Sequence, residues 1–416
     1  MKRNAAIGFI WVTVFIDVMG WGLIIPVMPE LIAGMKHIPV NEASPYGGWL
    51  VSAYAIMQFI CAPILGNLSD KYGRRPVLLF SMLGFGIDYL FLALAPTYGW
   101  LFVGRIIAGI TGASFTTASA YIADISSPKD RAKNFGMIGA AFGLGFIVGP
   151  ALGGLLGGLG LRAPFYAAAI LSLLNFIYGY FFIPESLGKE HRREFNLRKA
   201  DPLASIIQLR KYPAIGGLML SLFLVYLAAH AVQSNWNYFT IHVFHWSKTL
   251  VGISLAVVGA LVAIVQAGLI RVVNPRLGNE RSVYLGLMLY TTGLVLFSLA
   301  TQSWMMFVFL IPYCLGGFAG PALQSIMSGN VPKNEQGKLQ GALTSLMSLT
   351  TIFGPVIMNN LFAWATRKNA SFYFPGLPFM VGAVLILISV FVAYETLRHG
   401  HHLAAMTNTE EVTERA

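Results

Sequence analysis

The chain has 416 residues, of which 56% are hydrophobic and 11% charged, and its formal net charge is +11. So few charges on so apolar a chain exclude an ordinary soluble globular protein. The basic residues lie between long apolar segments, which excludes the basic face of a soluble nucleic-acid-binding domain. The two cysteines, Cys61 and Cys314, lie in separate apolar segments and indicate neither a disulfide framework nor a metal site.

Twelve apolar segments are long enough to cross a bilayer as helices, since a crossing needs about 20 residues. They lie near 6–33, 47–66, 77–95, 99–122, 134–158, 164–183, 213–240, 249–271, 282–300, 304–327, 338–364 and 373–394. The first is too long for the apolar core of a signal peptide, and no small-residue cleavage site follows it, so we expect it to be retained. The sequence therefore predicts an all-α integral membrane protein with twelve transmembrane helices.

The distribution of basic residues between the spans predicts the orientation. One side of the membrane receives 22 lysines and arginines and the opposite side receives 5. This asymmetry places both termini in the cytoplasm and agrees with an even number of spans. We call the side with few basic residues the outer face.

An internal repeat divides the chain into two parallel halves. A gapless shift of 205 residues aligns pairs spread over about 80 residues, an agreement that chance rarely produces. The pairs are Gly73 with Gly278, Gly112 with Gly317, Asp130 with Glu335, Lys133 with Lys338, Gly136 with Gly341, and Gly149-Pro150 with Gly354-Pro355. We predict two pseudo-symmetric six-helix bundles, 1–183 and 213–395, with a cytoplasmic linker at 184–212 and a tail at 396–416. Parallel halves around a central path are typical of secondary transporters.

Several motifs carry a resemblance to a known family. The loop "GNLSDKYGRRPV" at 66–77 resembles the hallmark loop of the major facilitator superfamily. The segments "GRIIAGITGASFTTASAYIADI" at 104–125 and "GFIVGPALGG" at 145–154 resemble motifs of its drug/proton antiporters. Nearly the whole chain is similar to the tetracycline-efflux group, including "IPES" at 183–186. The resemblance implies the superfamily's fold, a bacterial inner-membrane location and export driven by a proton gradient.

The loop at 66–77 has two roles in this interpretation. Its basic residues, which include Arg74 and Arg75, contribute to the topology signal, and Gly73 permits a tight turn. Acidic residues add little to that signal, so Asp70 needs another explanation. The resemblance implies that Asp70 latches the two halves on the cytoplasmic face, in a motif that also contains Gly66. The second copy of the loop has no matching acid, because the shift places Pro275 there.

The fifth span carries glycines every four residues and a proline. They are Gly145, Gly149, Pro150, Gly153 and Gly154. Such a face lets another helix approach closely, and the proline removes one backbone hydrogen bond. Close packing alone would explain the pattern. The resemblance to the antiporter motif favours export over uptake.

Three charged residues lie deep within the spans: Asp17, Asp88 and Arg105. Charged groups in the membrane are costly, and their presence indicates function. Asp17 lies near the midplane of the first span, and Asp88 and Arg105 lie at similar depth, so either acid is placed to pair with the arginine. The alternative is a static ion pair that only holds helices together. We expect Asp17 to be the main proton site, tuned by Arg105, with Asp88 contributing to coupling or substrate contact.

The second half departs from the tetracycline-efflux pattern. The resemblance implies a histidine in the eighth span and an acid in the ninth, but Val262 and Tyr290 stand there. Its polar residues are instead His230, Gln233 and Asn237 on one helical face, together with Gln266 and Gln324. These five are our candidates for substrate binding. An aromatic belt at the membrane interface is the alternative explanation for their neighbours Trp236 and Tyr238.

The remaining function classes have weaker support. We find no catalytic constellation, no metal-binding motif and no phosphate-binding P-loop, so we expect neither an enzyme nor an ATP-driven pump. No cofactor is expected, because the proton gradient supplies the energy. The expected partners are a small amphipathic substrate, protons and the lipid bilayer, with no nucleic acid and a monomeric chain. A proton-coupled or facilitative importer of a small metabolite is the alternative, followed by a receptor or scaffold.

Overall fold

The computed structural model describes residues 3–112, 114–127, 130–192, 213–332, 335–368, 370 and 372–414, and every regular element in them is helical. The helices of the first repeat are α1 (Arg3–Ile24), α2 (Met28–Lys36), α3 (Val40–Tyr72), α4 (Arg74–Leu94), α5 (Tyr98–Thr111), α6 (Ser114–Ile125), α7 (Arg131–Leu159) and α8 (Ala163–Phe182). Those of the second are α9 (Pro213–Phe244), α10 (Lys248–Ile264), α11 (Ile270–Leu277), α12 (Asn279–Ser298), α13 (Ser303–Leu315), α14 (Ala319–Gly329), α15 (Gln336–Thr366) and α16 (Leu377–Glu414).

In the described part of the chain, 11 helical stretches are long and apolar enough to cross a membrane. The remaining predicted span, 282–300, corresponds to α12. This helix has 20 residues, and its polar first turn, tyrosines and threonines lower its mean hydropathy. The prediction of an all-α integral membrane protein is confirmed. The cytoplasmic position of the termini stays a prediction.

Glycine and proline set several helix boundaries. The predicted span 6–33 is not one helix, because α1 ends ahead of Pro26 and α2 starts after a short turn. Gly73 joins α3 to α4 with a φ of 107°, and its repeat partner Gly278 joins α11 to α12 with a φ of 78°. Only glycine adopts such positive φ values without strain, so both repeats use the same device at the same place.

Both repeats also interrupt one span at matching positions. The fourth predicted span is split at Gly112, where α5 ends before α6 begins at Ser114. Its partner Gly317 lies in a 3₁₀ turn, Gly316–Phe318, that separates α13 from α14. A third irregularity, the π-helical turn Val265–Leu269, connects α10 to α11. Interruptions of this kind in membrane helices are frequent at functional sites.

The linker and the tail are only partly described. Residues 184–192 contain one 3₁₀ turn, Lys189–His191, whereas 193–212 lie outside the described residues. The predicted tail continues α16 as helix to Glu414. The boundaries that we predict between the halves, the linker and the tail stay predictions.

The chain packs into two compact units. The first contains Met1–Pro202, Ser234–Ala263 and Pro355–Pro375, and the second contains Leu203–Gln233, Ile264–Gly354 and Gly376–Ala416. In the first unit α1 packs along α7, α3 along α5, and α4 along α8, whereas in the second α12 packs against α13 and α16. Lipid is as apolar as these side chains, so close van der Waals contact and polar bonds between helices stabilise the packing.

Candidate transport site

The intramembrane charges of the first unit lie on α1, α4 and α5, and those of α4 and α5 are in contact. The Arg105 guanidinium forms an ion pair with the Asp88 carboxylate, and these residues are 6% and 0% exposed. One oxygen of Asp88 and the Nε of Arg105 have no hydrogen-bond partner among the described residues. The pair therefore neutralises two buried charges that would each be costly alone.

Asp17 has a different environment from Asp88. Both of its carboxylate oxygens are shielded from solvent, and neither accepts a hydrogen bond from a described residue. The Ser114 hydroxyl, at the first residue of α6, interacts with the carboxylate but lies outside hydrogen-bonding geometry. Arg105 forms its ion pair with Asp88 and makes no direct contact with Asp17. The prediction that this arginine tunes Asp17 therefore stays a prediction.

Two tyrosines lie within electrostatic reach of all three charges. Tyr54 of α3 accepts a hydrogen bond from Gln58 over 2.9 Å, and the same Gln58 amide donates to the Gly112 carbonyl over 3.1 Å. Tyr89 of α4 packs against Gly20 of α1, where an added Cβ would lie 2.9 Å from the tyrosine hydroxyl. The break between α5 and α6 thus opens onto a polar cluster, and Gln58 satisfies a backbone carbonyl that the break frees.

The predicted cytoplasmic latch forms a charged cluster at the junction of α3 and α4. Arg74 pairs with Asp70 over 2.5 Å and with Asp124, at the end of α6, over 3.1 Å. Asp124 also accepts a hydrogen bond from the Ser186 hydroxyl over 3.0 Å. Together with His191, these side chains line a cavity of about 510 Å³. Gly66 lies on α3 with open space at its Cβ position, so packing does not explain a glycine there.

Sequence reasoning did not single out Asp124 and Glu185. The Glu185 carboxylate accepts hydrogen bonds from the backbone N–H groups of Arg74 (2.7 Å) and Arg75 (3.2 Å), and thus caps the start of α4. The Arg75 side chain in turn donates to the Tyr180 carbonyl over 2.6 Å. The signal was available, since both acids lie within motifs, "IADI" and "IPES", that carry the family resemblance.

The glycine face of α7 receives α1. An added Cβ at Gly145 would lie 2.9 Å from the Phe15 carbonyl, and one at Gly149 would lie 2.6 Å from the Met19 carbonyl. At Gly153 the same atom would collide with the Leu23 carbonyl. The predicted close helix contact is therefore present, and α1, which carries Asp17, is the helix that makes it.

A second face of α7 meets the beginning of α10. An added Cβ at Gly154 would lie 2.5 Å from the Lys248 carbonyl, and the Pro150 carbonyl lies against Gly252. The antiporter motif therefore holds two helices at once, one from each repeat, and both contacts lie in the first unit.

The polar candidates of the second half do not form one cluster. His230 is buried and packs against Gly354, and Gln324 donates a hydrogen bond to the Tyr226 hydroxyl over 3.2 Å. Gln233 and Gln266 are exposed, the latter within the π-helical turn.

Asn237 lies in the first unit, where its amide donates to the Ile25 carbonyl over 2.8 Å at the end of α1. Asn237 is thus engaged in packing.

Comparison of the whole chain with known proteins agrees with the resemblance that the motifs carry. The model of the Major Facilitator Superfamily matches residues 10–355 and 244–404. The chain is 43% identical to the class C tetracycline resistance protein of Escherichia coli over 388 residues, which cover 93% of this chain and 96% of that protein. It is 40% identical over 392 residues to the class G tetracycline resistance protein of Vibrio anguillarum, with 93% and 96% covered. The crystal structure of the nucleoside transporter NupG has the same fold, with a TM-score of 0.79, 14% identity, and 94% of this chain and 99% of that one covered.

Proposed function

Because the chain belongs to the Major Facilitator Superfamily, we propose that it exports a small amphipathic compound across the bacterial inner membrane in exchange for protons. The class C and class G tetracycline resistance proteins each match over 96% of their length, which supports a drug as the substrate. Two bundles that expose a central site alternately to either side are the expected machinery of such a transporter.

The observation that carries the proposal is that Asp88 is paired with a cation, whereas Asp17 has no ion pair among the described residues. Protonation of Asp88 would leave the buried Arg105 without its counter-charge, which is strongly unfavourable. Protonation of Asp17 leaves no cation unpaired among the described residues. Asp17 is therefore the acid on which a proton can load and from which it can leave, while the Asp88–Arg105 pair holds the neighbouring helices in place.

The contact between α1 and α7 supports coupling of this proton to a movement. Asp17 lies on α1 between Phe15 and Met19, whose carbonyls face Gly145 and Gly149. A change in the charge of Asp17 thus acts on the helix that contacts the antiporter motif. Larger side chains in place of these glycines would hold the α1 and α7 backbones apart. With glycine there, a movement of α1 that follows the charge change is passed directly to α7.

The substrate is a tetracycline or another amphipathic drug. In place of the histidine and the acid of the efflux group stand Val262 and Tyr290, and the Tyr290 hydroxyl is buried against that of Tyr313 at 3.4 Å. No carboxylate is available at those two positions to bind a cation. We therefore expect the hydroxyl and amide groups of the second half to contact the substrate, and these suit a ligand rich in hydrogen-bonding groups.

The test is transport in oriented proteoliposomes with an imposed proton gradient. Asp17→Asn should abolish gradient-driven uptake of tetracycline or a dye but preserve counterflow exchange, since exchange needs no net proton movement. The matched control is Asp130→Asn, which removes an exposed acid in a cytoplasmic loop and should leave both activities unchanged. Undiminished gradient-driven transport by Asp17→Asn would refute the assignment of Asp17 as the proton site.

A growth panel identifies the substrate and the direction. An efflux-deficient host that expresses the chain should survive higher concentrations of at least one class among tetracyclines, dyes and biocides. A host made more sensitive to a compound would show uptake, the activity of the alternative importer.

A further inference from the structure

The outer face of the first unit contains a buried polar seal between the two repeats. Asn41 of α3 donates to the backbone carbonyl of Thr366 at the end of α15 over 2.9 Å and to its hydroxyl over 3.2 Å. Both residues are buried although they are polar and lie near helix ends. Water is therefore excluded from this contact between α3 and α15.

One ion pair belongs to this seal. The Lys248 ammonium, at the first residue of α10, lies 2.7 Å from a carboxylate oxygen of Glu30 in α2, and their side chains are 24% and 31% exposed. Gly157 makes room for the lysine, because an added Cβ there would lie 3.1 Å from the Lys248 Cδ and 2.6 Å from Val27. The lysine stem thus crosses α7 to reach the acid.

The internal repeat contains a neutral counterpart of this ion pair. The shift of 205 residues places Asn235 where the first repeat has Glu30, and a shift of 204 places Lys248 on Ser44. The Ser44 hydroxyl donates to Asn235 over 3.4 Å and to the Asn359 carbonyl over 3.3 Å, and the Asn359 amide donates to the Ser44 carbonyl over 2.9 Å. Ser44 and Asn235 are completely buried.

The backbone contacts beside these bonds repeat as well. The Pro150 carbonyl lies against Gly252, and the Pro355 carbonyl lies against Gly48 at 2.7 Å from an added Cβ. Prolines 205 residues apart thus meet glycines 204 residues apart. The seal is one arrangement built twice, with an ion pair in one copy and neutral hydrogen bonds in the other.

We propose that Glu30 and Lys248 are positioning residues that hold the outer face closed, and that this ion pair stabilises the outward-closed state against the outward-open one. The inference rests on the alternating-access function proposed above. The Glu30–Lys248 ion pair is partly exposed, whereas Ser44 and Asn235 in the neutral copy are fully buried. Water can therefore solvate the two charges once they separate as the seal opens. Breaking the ion pair therefore shifts the balance toward the open state without dismantling the seal.

The experiment measures opening directly. A Ser44→Cys reporter, in a chain whose Cys61 and Cys314 are replaced by serine and alanine, is reacted with a membrane-impermeant maleimide added from outside. In this background Glu30→Gln should raise the labelling rate about two- to five-fold, the range that a partly exposed ion pair permits. The reversed pair, Glu30→Lys with Lys248→Glu, should return the rate toward that of the reporter alone.

The matched control is Glu42→Gln. Glu42 is an exposed acid in the first turn of α3 on the same outer face, and it has no ion pair among the described residues. Its substitution changes the net charge as Glu30→Gln does and should leave labelling unchanged. Equal labelling of the Glu30 and Glu42 variants, or no recovery in the reversed pair, would overturn the proposal.

The labelling result separates the role of the Glu30–Lys248 ion pair from the transport function. If the ion pair holds the outer face closed in a chain that is not a transporter, the predicted labelling rates would be seen although the chain moves no drug or dye, because labelling needs no substrate. If the chain is a transporter and the ion pair has no such role, every variant would show flux and Glu30→Gln would leave labelling unchanged.

Discussion

Replacing Asp88 with asparagine removes the counter-charge of a buried guanidinium. Arg105 is 6% exposed and Asp88 is fully buried, so little water is available to the arginine to replace the lost partner. Breaking a buried pair by removing one partner costs about 3–5 kcal/mol. Such a loss is a large part of the total stability of a folded domain, about 5–15 kcal/mol.

The assay is unfolding of the purified protein in mixed detergent micelles, with the free energy of unfolding taken from the denaturant dependence. Asp88→Asn and Arg105→Gln should each be strongly destabilised. The double variant buries two neutral amides and should lose less than the sum of the two, by about 2 kcal/mol or more. Asp70→Asn is the control, since its partly exposed pair with Arg74 contributes only about 0–1 kcal/mol. Additive losses in the double variant would refute the idea that the two charges depend on each other.

Three further substitutions, with Gly143→Ala as the control for the first, test the packing and the cytoplasmic cluster. Gly149→Ala would place a methyl group 2.6 Å from the Met19 carbonyl and should cost about 1–3 kcal/mol in the same unfolding assay, with slowed transport. Gly143→Ala, on the same helix with open space around it, should be neutral or stabilise by up to about 1 kcal/mol, and an equal loss in both variants would contradict the close contact. Asp70→Asn should insert normally yet cripple transport in vesicles, and full activity would remove the latch role. Glu185→Gln weakens the cap of α4 and should lower the free energy of unfolding by about 1 kcal/mol. An unchanged free energy of unfolding would show that the cap does not stabilise α4.

Hydropathy and the internal repeat predicted most of the architecture. The all-α membrane fold follows from long apolar segments, and the tight turn at Gly73 follows from a glycine between Tyr72 and Arg74 in a charged loop. The same glycine at Gly278 shows that the repeat extends to backbone conformation. These features are local or periodic, and a single sequence displays them directly.

Other features depend on partners far away in the chain and escaped prediction. We expected the second span to begin near 47, but α3 begins at Val40, because Asn41 and Ser44 find hydrogen-bond partners on α9 and α15. The pairing of Arg74 with Asp124 joins residues 50 positions apart. The break at Gly112 lies within an apolar segment that hydropathy treats as continuous.

The pairing of Asp88 with Arg105 has an electrical consequence. While it persists, the pair carries no net charge, so of the two deep acids in the described spans Asp17 is the one whose protonation alters the charge exposed to the membrane potential. In the exchange proposed above, one proton traded for a neutral drug would move one elementary charge, which gains about 2.3 kcal/mol per 100 mV. Exchange for a singly charged cation moves none. The current that accompanies transport would therefore report the charge on the drug.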